Sequence, residues 1–107
     1  MTAAPKYDVY QAIADPTRRQ MLELLAKGDL SIKGISQNFP VSRTAVVKHL
    51  NVLTEAKLVN GRKTGREKIY TLLPEELVEL KHWLSFFEQY WDNKISMLKQ
   101  HVENNQE

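Results

Sequence analysis

Between Ser42 and Asn51 the chain gathers side chains suited to flat, polar partners. Arg43 and Lys48 are cationic donors, Thr44 and Asn51 both donate and accept, and Val47 stands apolar among them. If the stretch is helical, Val46, Leu50 and Leu53 fall at i, i+4 and i+7 and face inward, which turns Arg43, Thr44, Val47, Lys48 and Asn51 outward. Such a set matches the edges of base pairs. The major groove of duplex DNA is wide enough for one α-helix, and each base pair shows its own donor and acceptor pattern there. Arg43 and Lys48 suit guanine, Thr44 and Asn51 a base or a phosphate, and Val47 a thymine methyl group. His49 lies at the edge of the buried face and suits a phosphate. Ser42 is a helix cap first, and the helix start behind it offers free N–H groups to an anion.

A second basic group follows in Arg62, Lys63, Arg66 and Lys68. Cations at that density suit backbone phosphates or the minor groove, contacts that give affinity and register but little sequence information. The chain has 107 residues and a formal charge of only +2, yet the charge is unevenly spread. Residues 42–68 carry seven basic and two acidic side chains, whereas residues 74–107 carry three basic and seven acidic ones. A positive segment inside a near-neutral chain implies one face built for a polyanion. Random clustering on a solvated surface would give the same count, so the elements that carry these residues decide.

Those elements are legible from caps and periodicity. Tyr7 to Ala14 reads as a short helix offering Tyr7, Val9, Tyr10 and Ile13 for burial. Asp15-Pro16 is a strong helix start, because Asp15 caps free N–H groups and Pro16 suits the first helical position. That helix runs to about Lys27, with Met21, Leu22, Leu24 and Leu25 on its apolar face and Gly28 in a left-handed position beyond it. Ser31 caps a third helix over 32–39, with Ile32, Ile35 and Phe39 on one side, and Pro40 blocks its continuation. Ser42 caps a fourth helix reaching about Lys57. Leu58 and Val59 open a strand, Lys63-Thr64-Gly65-Arg66 forms a turn, and Glu67 to Leu72 alternates as a half-buried strand. Asn60-Gly61 is a rival turn. Pro74 opens a last helix that reaches Val102, about 42 Å long if continuous from Glu75. Leu77, Leu80, Leu84, Phe87, Trp91, Ile95, Leu98 and Val102 step along it by three or four, widened by Trp83, Phe86 and Tyr90. An apolar face that long needs a second surface.

The fold class expected is mainly α with a small β-hairpin: a winged helix-turn-helix with a long C-terminal dimerisation helix. It is read as one domain, 1–107, with a DNA-binding core over 7–72 and the dimerisation helix over 74–103. Two capped helices joined by a turn also occur in helical bundles, and it is the basic hairpin behind them that favours the winged form.

Several motifs resemble the ArsR-type family of winged-helix repressors. They are Asp-Pro-Thr-Arg-Arg at 15–19, Val-Ser-Arg-Thr-Ala-Val-Val-Lys-His-Leu-Asn-Val-Leu at 41–53, Glu-Ala-Lys-Leu-Val at 55–59 and Gly-Arg-Glu-Lys-Ile-Tyr at 65–70. The likeness covers about residues 7–72, and the tail with Trp83-Leu84 and Trp91 is similar to a cysteine-less branch. The resemblance implies a cytoplasmic homodimer on a palindromic double-stranded DNA operator, with recognition residues at 42–49. It also implies a dimer interface of the first and last helices, with Tyr7, Tyr10, Leu77, Leu80, Leu84, Phe87, Trp91, Ile95 and Leu98. Metal-sensing members carry a cysteine pair where this chain has Leu30-Ser31-Ile32-Lys33. A second family metal site uses Asp, His and His or Glu along the last helix, and here His82, Glu88, Asp92 and His101 lack its spacing.

Other classes find little support. With no cysteine there is no disulfide, thiolate metal site or cysteine nucleophile. No metal and no cofactor is expected, although histidine and carboxylate ligands brought together across a dimer leave zinc open. Catalysis is not expected, since no glycine-rich phosphate loop or activated nucleophile is present. No membrane partner is expected: Met1 to Lys6 lack the apolar run of a signal peptide, and no stretch reaches the ~20 apolar residues of a span. The competing reading is a protein-interaction module whose working surface is the last helix. Any effector stays unknown.

Overall fold

The computed structural model describes residues 7–104. Its first four helices start where short polar side chains capture backbone N–H groups. Asp8 accepts from the Gln11 N–H at 2.8 Å while Gln11 Oε1 accepts from the Asp8 N–H at 2.9 Å, a reciprocal capping box that opens α1 (Val9–Ala12). The helix is shorter than the 7–14 expected, because this cap begins it after Tyr7 and the chain turns toward the next cap after Ala12. Asp15 then accepts from the Arg18 N–H at 3.0 Å and starts α2 (Pro16–Ala26). Burial tends to raise the Asp15 carboxyl, but that hydrogen bond and the electrostatic influence of the neighbouring His49 and Arg18 outweigh it, and the carboxyl lies below its ordinary value. A depressed carboxylate stabilises the fold above its unfolded pKa, and that stabilisation is lost as pH falls through the folded pKa. Asp15→Ala should therefore cost about 1 kcal/mol at neutral pH. Urea denaturation repeated toward about pH 3 should show the gap to wild type narrowing.

Beyond α2, Gly28 has a positive φ of 155°, not the compact left-handed value expected. A two-residue strand, β1 (Leu30–Ser31), follows. Ser31 Oγ accepts from the Gly34 N–H at 3.0 Å and caps α3 (Ile32–Ser36). This helix stops three residues before the expected Phe39, where Asn38 Nδ2 donates to the Gly34 carbonyl at 2.9 Å and the next backbone bonds tighten to the i−3 carbonyl. Ser42 Oγ accepts from the Ala45 N–H at 3.1 Å and opens α4 (Arg43–Glu55). The end of α4 is a Schellman motif: the Leu58 N–H reaches the Leu53 carbonyl at 2.9 Å, and the Lys57 N–H reaches that of Thr54 at 3.0 Å. Lys57 occupies the left-handed position at φ 62°, where an L side chain costs about 1 kcal/mol. The motif holds because Leu53 and Leu58, its apolar pair, are both fully buried.

The core lies where α2, α3, α4 and the sheet meet. Met21, Leu25, Ile35, Val46, Leu50, Leu53, Leu58, Val59 and Tyr70 are all buried. The sheet consists of β2 (Val59–Thr64) and β3 (Glu67–Leu72) with β1 on the outer edge of β3, in the order β1-β3-β2, all antiparallel. The hairpin turns at Gly65, whose φ of 64° favours a residue without a β-carbon. Asn60-Gly61, the rival turn, lies inside β2. Gly61 faces Tyr70 across the ladder, and a β-carbon there would meet Lys68 Cε at 2.7 Å and Tyr70 Cε1 at 2.9 Å. Gly61→Val should displace the buried Tyr70 ring and cost about 1–3 kcal/mol in thermal or urea unfolding.

The chain divides after Leu77 into two units. In the second, the expected single helix is interrupted by one residue, Phe87, between α5 (Leu77–Phe86) and α6 (Glu88–Asn104). The Phe87 N–H bonds to Leu84, three residues back, while α6 resumes with the Trp91 N–H on the Phe87 carbonyl at 2.9 Å. Trp83 and Phe86 pack edge-on against the Phe87 ring at 5.3 and 5.1 Å. The long C-terminal helix is thus α6, and it starts at Glu88 rather than beside Pro74.

Candidate nucleic-acid interface

The burial of Val46, Leu50 and Leu53 fixes which way α4 faces. Thr44, Lys48 and Asn51 stand exposed on the opposite side, three to four residues apart. Ser42 and Arg43 are exposed at the helix start. Val47 and His49, expected with the outward set and at its edge, are both half-buried on the flanks. His49 Nδ1 lies 3.4 Å from Arg18 Nη1, and Arg18 in turn donates from Nε to the Ala12 carbonyl at 2.7 Å and from Nη2 to that of Gln11 at 3.2 Å. One guanidinium therefore ties the end of α1 to the flank of α4. Sequence reasoning missed this role of Arg18, because it depends on a contact 31 residues away.

The hairpin sorts its cations by the parity of the pleat. Val59, Gly61, Lys63, Lys68, Tyr70 and Leu72 share one face, and Val59 and Tyr70 make it the core-facing one. Arg62 pairs with Ile69 on the other face. There its guanidinium donates to Thr71 Oγ1 at 2.7 Å and reaches Asp29 Oδ2 at 3.3 Å. Arg62 is thus set apart from the other basic residues of the wing. Lys63 stands directly opposite Lys68, a like-charge pair unfavourable to the isolated hairpin. Lys68 Nζ lies 5.6 Å from the centroid of the Tyr70 ring, held on its face.

Arg43 goes elsewhere than its neighbours on α4. Together with Lys33, Arg66 and Lys68 it lines a cleft of about 390 Å³ between the starts of α3 and α4 and the wing, where Ser31 and Glu67 also lie. Four cationic side chains surround this cleft against one carboxylate. Lys33 was not among the expected site residues; only the packing of α3 against the wing brings it there.

The sequence pattern of the bacterial regulatory proteins of the arsR family matches residues 15–61, from the Asp15 cap into β2. The transcriptional repressor SdpR of Bacillus subtilis is 33% identical over 88 residues, which is 82% of this chain and 98% of that protein. The HTH-type transcriptional regulator Rv2034 of Mycobacterium tuberculosis is 37% identical over 95 residues, 89% of this chain and 86% of that protein. This chain belongs to the ArsR family. A solved structure of a possible transcriptional regulator for arsenical resistance is 40% identical, covers 79% of this chain and 90% of its own, and superposes with a TM-score of 0.69. The ArsR fold, its winged sheet included, is therefore the fold of this protein, which is a DNA-binding transcriptional regulator and not an enzyme.

This ArsR chain departs from the metal-sensing pattern in its donor set. Leu30 and Ser31 form β1, Lys33 lines the basic cleft, and the chain has no cysteine. Among the described residues no group of three or more histidines and carboxylates stands close enough to hold a metal ion. The cysteine-pair site therefore lacks its thiolates, and no helix among those described is long and apolar enough to cross a membrane.

Of the residues expected at a dimer interface, Tyr7, Tyr10, Leu77, Leu80 and Phe87 are half-buried. Leu84, Trp91, Ile95 and Leu98 are 58–66% exposed along α5 and α6, beside the exposed Trp83, Phe86 and Tyr90.

Proposed function

We propose that this protein is a homodimeric repressor that binds a palindromic operator, with the outward face of α4 in the major groove and the wing on the flanking backbone. The observation that carries this is the exposed row Thr44, Lys48 and Asn51 on a helix whose opposite side is wholly buried. Ser42 and Arg43 at the helix start and Val47 and His49 on the flanks frame that row. Lys63, Arg66 and Lys68 add sequence-independent attraction to phosphates. Arg62, tied to Asp29 and Thr71, serves mainly to hold the wing's outer face.

Dimerisation is supported by the aromatic and aliphatic stripe on α5 and α6, which is too large an apolar surface to leave in water. A two-fold dimer presents two α4 helices and so calls for two inverted half-sites. Repression is the reading because SdpR, similar over nearly its whole length, is named a repressor. The same stripe would serve a module that docks on another protein; sedimentation equilibrium separates the two, since a stable dimer uses the stripe on itself.

The test is retardation of duplexes from the protein's own promoter region at graded salt. Binding should weaken steeply, with a log–log slope of about −0.9 for each phosphate neutralised. No retardation of any promoter duplex at low salt would contradict the proposal.

A further inference from the structure

We infer that the cleft between α3, α4 and the wing is a seat for one phosphate oxyanion of the duplex backbone, and that Lys33 is one of its ligands. This rests on the DNA-binding reading and extends it to a residue outside the recognition helix and wing.

The first support is the concentration of unpaired charge. Lys33, Arg43, Arg66 and Lys68 line the cleft, and among the described residues no carboxylate closes an ion pair with any of them. Glu67, the one acid in the lining, leaves three positive charges in excess. Lys63, opposite Lys68 in the hairpin, adds a like charge beside one of these donors. Such crowding is unfavourable in the free protein and is relieved when an anion enters.

The second support is the way the donors are held. Gly61 has no side chain, so Lys68 can lie across the Tyr70 ring, and the buried ring fixes its ammonium on the core-facing side of the hairpin. Ser31 Oγ accepts the Gly34 N–H, which leaves its own proton to donate. Arg43 and Arg66 bring planar forks that match phosphate geometry, and Lys33 and Lys68 bring point charges.

The third support is where the donors come from. Lys33 belongs to the first helix of the reading motif, Arg43 to the second, and Arg66 and Lys68 to the wing. One phosphate held by all of them fixes how α4 is set in the groove, which a small free anion would not need.

The experiment measures binding of the full-length protein to an operator duplex and a random duplex by fluorescence anisotropy at graded salt. Wild type is compared with Lys33→Gln and with Lys27→Gln, which removes the same charge from an exposed position at the end of α2 outside the cleft. Lys33→Gln should weaken both duplexes by the same factor and flatten the salt slope by about 0.9, while Lys27→Gln should keep the wild-type slope. In parallel, sodium pyrophosphate is titrated into 15N-labelled protein without DNA. Amide shifts should appear at residues 31–33 and 66–68 in wild type and vanish in Lys33→Gln. If both lysine variants bind DNA with one slope, the inference is overturned. If pyrophosphate shifts the cleft amides but Lys33→Gln leaves the slope unchanged, the seat serves a free phosphate compound and the assignment to the duplex falls. Wild type that binds neither duplex would overturn the DNA reading itself, and with it the duplex assignment.

Discussion

Trp91→Glu should separate the protein into monomers and lower its affinity for the operator by about 10²- to 10⁴-fold, the range lost when two linked binding events become independent. Trp91 is 59% exposed near the middle of a stripe that includes Leu84, Ile95 and Leu98. Burying such a stripe against a second copy removes apolar area from water at about 25 cal/mol per Å². A carboxylate at its centre would have to be desolvated without a partner, which costs several kcal/mol and outweighs the lost contacts of the ring. Helical content should persist, because Trp91 is not part of the buried core. Leu84→Glu should behave alike and Trp91→Phe should remain dimeric. Sedimentation velocity reads the first effect and anisotropy the second. A Trp91→Glu protein that stays dimeric and binds the operator at full strength would show that the stripe is not the interface.

Lys48→Ala should weaken the operator complex by about 1–3 kcal/mol, roughly 5- to 150-fold, and the random-duplex complex far less. Lys48 stands on the side of α4 opposite Val46, Leu50 and Leu53, with Thr44 and Asn51 beside it. A helix lying in the major groove points that side at base edges. Arg43→Ala provides the contrast. Its side chain turns into the cleft with Arg66 and Lys68, so its loss should fall about equally on both duplexes. Competition binding with the two duplexes at one salt concentration measures the ratio. An equal loss for Lys48→Ala on both would make it a phosphate contact.

Much of this architecture was legible because its causes are local. The caps at Asp15, Ser31 and Ser42 each need only a short polar side chain and an N–H three residues on, and all three form. The inward face of α4 followed from period alone. What escaped depended on pairing at a distance. β1 exists only because Leu30 and Ser31 meet Tyr70 and Ile69, some 40 residues later, and no local pattern marks a two-residue strand. The grouping of Arg62 with Lys63, Arg66 and Lys68 ignored pleat parity. The expected turn Lys63-Thr64-Gly65-Arg66 would set Arg62 opposite Glu67, whereas Lys63 and Thr64 still pair within β2 and the turn at Gly65 and Arg66 sets Arg62 opposite Ile69; either register keeps it off the face of Lys63 and Lys68. The cleft escaped for a related reason, since Lys33 reaches it through the packing of α3. The interruption at Phe87 has no sequence signal: there is no Pro or Gly nearby, and the apolar steps run through it unbroken.

Operator recognition depends on the exposed side of α4 entering a DNA groove. Mapping amide chemical shifts of the 15N-labelled protein, while a duplex carrying its promoter's inverted repeat is added, tests that most directly. Large shifts or broadening are expected over residues 42–51 and 63–68, with smaller ones along α6. Perturbation confined to α5 and α6, with residues 42–51 silent at saturating DNA, would contradict it.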